Sequence, residues 1–157
     1  MINKKKVVVA LPGFAKRDVP FDEKFDLELE SLEPIADLIE ADTRNLESFL
    51  DIARDADGIV TSWGMRFTEE VISGLEKCSI IGVGSVGVDM VDVDAATRAG
   101  IVVTNVPDVF IEEVADHTMM LLLGCYRRVK IMDKMVSEGN WYKGRPVFTY
   151  IPRIWGQ

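Results

Sequence analysis

Five short apolar runs, rich in β-branched residues, recur along the first hundred positions and alternate with segments of helical period. The first is Val7-Val8-Val9-Ala10-Leu11, and the others lie near residues 35–39, 58–61, 79–83 and 101–104, spaced 20 to 30 residues apart. Strands buried on both faces read as continuous apolar runs, and parallel neighbours need a helical crossover between them, so this alternation specifies a parallel α/β sheet. Leu46, Phe49, Leu50 and Ala53 follow the i, i+3, i+4, i+7 spacing of one buried helix face. Thr68 reads as an N-cap, followed by Glu69 and Glu70, where the helix dipole favours acids. Asp92 is placed to cap a short helix that Gly100 ends. Five strands and four intervening helical segments predict a flavodoxin-like doubly wound parallel sheet through about residue 105.

The pattern changes after Thr104-Asn105-Val106-Pro107. A long helix is expected from about Ile111 to Tyr126, and its stretch Met119-Met120-Leu121-Leu122-Leu123 sweeps more than a full turn at ~100° per residue. Such a helix is apolar all round and needs cover on every side. Leaving five large side chains wet forfeits about 10 kcal/mol as an upper bound. A sheet domain covers one face at most. The remaining residues supply a second amphipathic helix and an arm dense in aromatics (Trp141, Tyr142, Phe148, Tyr150, Trp155) and broken by Pro146 and Pro152. The expectation is a first domain over 1–105 and a second part over 106–157, with residues 111–155 packing on a second copy as a homodimer. A chain ending at Gln157 without a closing element is further expected to be a truncated piece of a longer protein.

Bulk properties remove several classes. A net charge of −8 disfavours nucleic acid as a partner, and the single basic cluster, Lys4-Lys5-Lys6, reads as a solvated strand entry. Two cysteines, Cys78 and Cys125, cannot make a disulfide scaffold or a CxxC redox site. No metal site is expected. The longest apolar run is too short to span a bilayer and no signal peptide is legible, so the expectation is a cytoplasmic protein with no membrane partner. A phosphoreceiver is excluded because the first strand ends in Leu11-Pro12-Gly13 without an acidic pair.

Gly82-Val83-Gly84-Ser85-Val86-Gly87 matches the dinucleotide fingerprint G-x-G-x-x-G and follows a predicted strand. The context differs in three ways. Val88 to Asp92 continues as a loop where the fingerprint needs an opening helix. The motif closes the fourth strand instead of the first. The next strand ends in Thr104-Asn105 with no acid for a ribose, Asp108 lying beyond Pro107. A glycine-rich turn also exposes consecutive N–H groups suited to an anion, and at the carboxyl end of a central parallel strand it faces the ligand crevice. The amides of Ser85, Val86 and Gly87 are therefore candidates to hold a substrate carboxylate; a tight connection without ligand is the plainer alternative. In Ser62-Trp63-Gly64-Met65, Trp63 walls the crevice or packs on the sheet top, and Gly64 lets backbone approach a ligand. His117, the only histidine, sits beside Asp116 with no nucleophile at a telling spacing and reads as a capping or interface residue.

From Gly84 through Asp89-Met90-Val91-Asp92 to Ala96, then Gly100 to Pro107, Glu112 to Thr118 and Leu121-Leu122-Leu123, the sequence resembles the D-isomer-specific 2-hydroxyacid dehydrogenases. The arm from Gly139-Asn140-Trp141 to Pro152-Arg153 looks most like the branch near phosphoglycerate dehydrogenases and C-terminal-binding-protein corepressors. The resemblance implies an NAD-dependent oxidoreductase that interconverts 2-hydroxy and 2-keto acids by hydride transfer. It also implies a flavodoxin-like substrate domain, and a Rossmann cofactor core that lies past Gln157. The family's catalytic arginine, glutamate and histidine fall there too, so no catalytic residue is assigned here and the chain alone is expected to be inactive. Residues 85–87 carry over as substrate-carboxylate binder, Thr118 as a cofactor-facing position, and the helix and arm as dimer interface. Two departures stand out: Ser85 replaces the usual glycine and adds a hydroxyl for substrate, and Met90 replaces an asparagine that would brace the loop. The alternative is a non-enzymatic binding or regulatory module akin to the corepressors.

Overall fold

Lys5 to Leu11 form β1, which lies between two parallel neighbours, β2 (Ala36–Asp42) and β3 (Gly58–Thr61). β4 (Ile80–Val83) and β5 (Val102–Thr104) continue the sheet beyond β3, giving the all-parallel order β2-β1-β3-β4-β5. This is the flavodoxin-like order expected from the spacing of the apolar runs. The computed structural model describes residues 4–11, 30–62, 64–143, 151 and 153–156. Trp63, Pro146, Phe148, Tyr150 and Pro152 lie outside the described residues.

Three named helices connect the later strands: α1 (Leu46–Ala53), α2 (Glu69–Ser73) and α3 (Val93–Arg98). The steps β2→β3, β3→β4 and β4→β5 all run the same way across the sheet, so right-handed crossovers put all three helices on one face. The register row Val8, Ile59, Ile81 points to that face, where it packs with Phe49 and Ala53 of α1, Val71 and Ile72 of α2, and Ala95 and Ala96 of α3. Phe49 and Phe67 meet edge to face, with ring centroids 5.8 Å apart at 89°. On the opposite face, Ile80 is 44% and Val102 58% exposed.

The helix ends follow their local chemistry. The Asp92 carboxylate accepts the Ala95 N–H at 2.8 Å, as its position predicts. Past α3, Gly100 takes φ +72°, its N–H bonds Thr97 O, and Ile101 N–H bonds Ala96 O, which is a complete Schellman stop. Thr68 occupies the N-cap of α2, but its side chain makes no cap hydrogen bond.

Under the amino ends of the strands, the Asp57 carboxylate accepts the Lys6 backbone N–H at 2.9 Å and lies 3.2 Å from both Lys5 Nζ and Lys77 Nζ. Lys6 itself pairs with Asp55 and donates to Ile52 O, and Lys4 lies 3.8 Å from Asp37. The basic run is thus spent on acids and a carbonyl of this chain. The Lys6 amide, and then the two lysines, hold the Asp57 carboxyl down to about 2. Because the folded value lies below that of the unfolded chain, the charged form adds stability that is complete at neutral pH. It is lost as pH falls through 4 towards 2. In urea titrations at several pH values, wild type is expected to be more stable than Asp57→Asn at pH 7, with the gap closing by pH 2; a gap independent of pH would contradict this role.

The chain divides into two compact units, residues 1–109 and 110–157. The second holds α4 (Ile111–Tyr126) and α5 (Val129–Ser137), which contact each other across a turn where Arg128 adopts φ 54°. No residue of either helix is buried, and residues 119–123 are between 42% and 55% exposed. Met120, Leu121, Gly124, Cys125, Val129 and Ile131 line a groove of about 650 Å³ on this unit. Among the described residues, no helix is long and apolar enough to cross a membrane.

Candidate functional site

In an open parallel sheet, ligands bind outside the carboxyl ends of the strands, where the order reverses. Here the reversal lies between β1 and β3. β4 is one strand in from the edge, not central as the sequence suggested, because β1 and β2 both fall on the far side of β3. The loop after β4 therefore faces the crevice from one strand away. It is tied to β3 by Gly84 N–H, which bonds Thr61 O at 2.7 Å, and the loops after β3 and β4 are joined by Phe67 N–H to Met90 O at 2.7 Å and Asp92 N–H to Phe67 O at 2.9 Å. Arg66, Thr68, Asp89 and Met90 line a shallow cleft of about 240 Å³ beside this junction.

The carbonyls of residues 85–87 are all engaged. Ser85 O accepts the Val106 N–H at 3.1 Å, Val86 O accepts Asn105 Nδ2 at 2.7 Å, and Gly87 O accepts the Ser85 hydroxyl at 2.7 Å. No acceptor among the described residues takes the N–H of Ser85, Val86 or Gly87. Residues 85–87 thus have their carbonyls engaged within the chain, while their amides take no acceptor among the described residues. The Ser85 hydroxyl, expected to reach substrate, spends its proton inside the loop.

The dinucleotide fingerprint fails on geometry. Neither Gly82, Gly84 nor Gly87 has positive φ, and a Cβ at Gly82 or Gly84 would meet only ordinary contacts of 3.5 Å or more. Gly87 is the tight one, since a Cβ there would lie 2.9 Å from Asp89 Oδ2. Residues 84–90 are loop, and the helix that follows is closed by the Asp92 carboxylate on its first-turn amide. A pyrophosphate needs that helix N-terminus free of another anion. The loop does not fit NAD.

Other predicted positions are scattered. Gly64 sits after β3 with φ 140°, a conformation that favours glycine. Thr118 and His117 lie exposed on α4 of the second unit, and the Thr118 hydroxyl donates to Val114 O at 2.6 Å. Among the described residues, no cluster of three or more His, Cys, Asp or Glu side chains could hold a metal ion. Reading the sequence missed Asn105, whose only local sign is a short amide just past a strand end.

Residues 20–149 match the family described as D-isomer specific 2-hydroxyacid dehydrogenase, catalytic domain. The chain belongs to that family. It is 41% identical over 95 residues to a glyoxylate reductase of Pyrococcus furiosus, covering 60% of this chain and 28% of the relative. It is 36% identical over 117 residues to a D-3-phosphoglycerate dehydrogenase of Methanocaldococcus jannaschii, covering 74% and 22%. The chain thus spans between about a fifth and a third of the length of these dehydrogenases. Among solved structures, the PH0520 protein of Pyrococcus horikoshii superimposes with TM-score 0.76 at 29% identity, over 96% of this chain and 42% of that one. A D-lactate dehydrogenase of Aquifex aeolicus, solved with NAD and lactic acid, gives TM-score 0.67 at 26% identity, over 86% and 38%.

Proposed function

We propose that this chain is the substrate-side part of an NAD-dependent D-2-hydroxyacid dehydrogenase, and that the amides of residues 85–87 hold the substrate carboxylate. The observation that carries the reading is the loop's polarity: three successive carbonyls are satisfied within the chain, and three successive amides take no acceptor among the described residues. Hydrogen bonds to a charged acceptor contribute roughly 1.5–3 kcal/mol each, offset by the cost of immobilising a small ligand, so affinity on the order of millimolar is expected. Gly64 contributes to the same crevice from the neighbouring strand end, and Trp63 belongs to this reading only as a sequence expectation. The substrate-side domain comprises residues 1–105. Thr118, on the part spanning 106–157, faces the cofactor, and the open apolar surface of α4 and α5 covers a second copy. No reaction step is assigned to residues of this chain. It binds a 2-keto acid without turning it over.

The test compares glyoxylate with glycolaldehyde, which has similar size and an aldehyde but no carboxylate, in the presence of NADH. Glyoxylate is expected to bind and glycolaldehyde not to, with no loss of NADH absorbance in either case. Equal response to the two would remove the carboxylate from the account.

A further inference from the structure

In a trans peptide unit the carbonyl and the next residue's N–H point in opposite directions, so a donor that pins one aims the other. Val106 N–H pins Ser85 O and thereby aims the Val86 N–H; Asn105 Nδ2 pins Val86 O and aims the Gly87 N–H. The first of these donors is backbone. The second is a side chain, brought from 19 residues away to a peptide that precedes a glycine. A peptide preceding glycine flips at little cost, since glycine tolerates the φ on either side of the flip. Gly87 lacks positive φ, so the loop is in one of the two states such a peptide can occupy. Asn105 is exposed and Val86 is 46% exposed, so this bond adds little to folding as a whole. Its effect is local: it selects the peptide orientation in which the Gly87 amide is presented.

We infer that Asn105 is a positioning residue for the anion loop, holding the Val86–Gly87 peptide so that the Gly87 N–H faces the substrate carboxylate, without itself touching substrate. This rests on the reading of residues 85–87 as a carboxylate site.

The experiment uses the chain 1–157 labelled with 15N and titrated with glyoxylate, as wild type, Asn105→Ala and Asn105→Gln, with a thermal melt of each. Wild type is expected to show saturable shifts at the Val86 and Gly87 amides. Asn105→Ala should bind roughly tenfold more weakly, the loss of one well-placed hydrogen bond. Its Gly87 response should fall more than its Val86 response, while its melting temperature moves by less than about 3 °C. Asn105→Gln, which keeps the donor one methylene further out, should recover part of the affinity. Asn105→Ala binding within twofold of wild type, with the Gly87 response intact, would overturn the inference alone. Wild type showing no response at either amide would overturn the carboxylate site together with it. An affinity loss in Asn105→Ala that only tracked a lowered melting temperature, unrelieved by glutamine, would reduce the residue to a structural role and overturn the inference.

Discussion

Phe49→Ala is expected to lower the stability of the chain by about 3–5 kcal/mol, the range for emptying a fully buried aromatic site. Phe49 is wholly buried on the inner face of α1, among the residues that tie β1, β3 and β4 to all three sheet helices. Its ring abuts Phe67 edge to face, and Phe67 also carries the hydrogen bonds that join the loops after β3 and β4. Removing it opens a cavity and unseats the ring that anchors the loops after β3 and β4. Because a domain of this size has only about 5–15 kcal/mol to lose, the variant should sit near the limit of folding. Urea denaturation checks it: the midpoint should fall sharply at unchanged slope, and a loss under about 1 kcal/mol would mean that α1 does not pack as described.

Leu121→Glu has the second large effect, on assembly. The five residues 119–123 are each about half exposed, and burying what remains of them contributes about 4–8 kcal/mol as an upper bound. A second copy would supply such cover without any new sequence, with the groove beside Leu121 as a concave seat for it. Wild-type chain is therefore expected to sediment as a dimer at micromolar concentration. A carboxylate at Leu121 would be stranded in that interface at about 3–5 kcal/mol, weakening association by more than about a hundredfold. The variant should run as a monomer with its melting profile otherwise retained. A wild-type monomer would remove the dimer, and a variant that stays dimeric would move the interface elsewhere.

What could be read from the sequence was whatever is decided locally. The β-branched runs gave five strands in a doubly wound order, and the period of residues 111–126 marked α4 to the residue. Asp92 and Gly100 announced a helix start and stop because caps act within one turn. Thr68 shows the limit even there, having the right position but no side-chain bond. The glycine motif misleads as a string, since its letters match a fingerprint whose conformation the chain does not adopt. The contacts that set the loop and the strand ends are long-range: Asn105 reaches back 19 positions to Val86, and Asp57 gathers lysines 52 residues before it and 20 after. No local pattern encodes such pairs. They follow only once the order of β3, β4 and β5 has brought the strand ends together.

Whether the amides of residues 85–87 receive a substrate carboxylate is read by mapping glyoxylate onto the amide resonances of the wild-type chain. Saturable shifts are expected, greatest at Ser85, Val86 and Gly87, with weaker changes at Gly64 and Asn105 and none along α5. Shifts spread over surface lysines, or none at residues 85–87 at saturating glyoxylate, would contradict it.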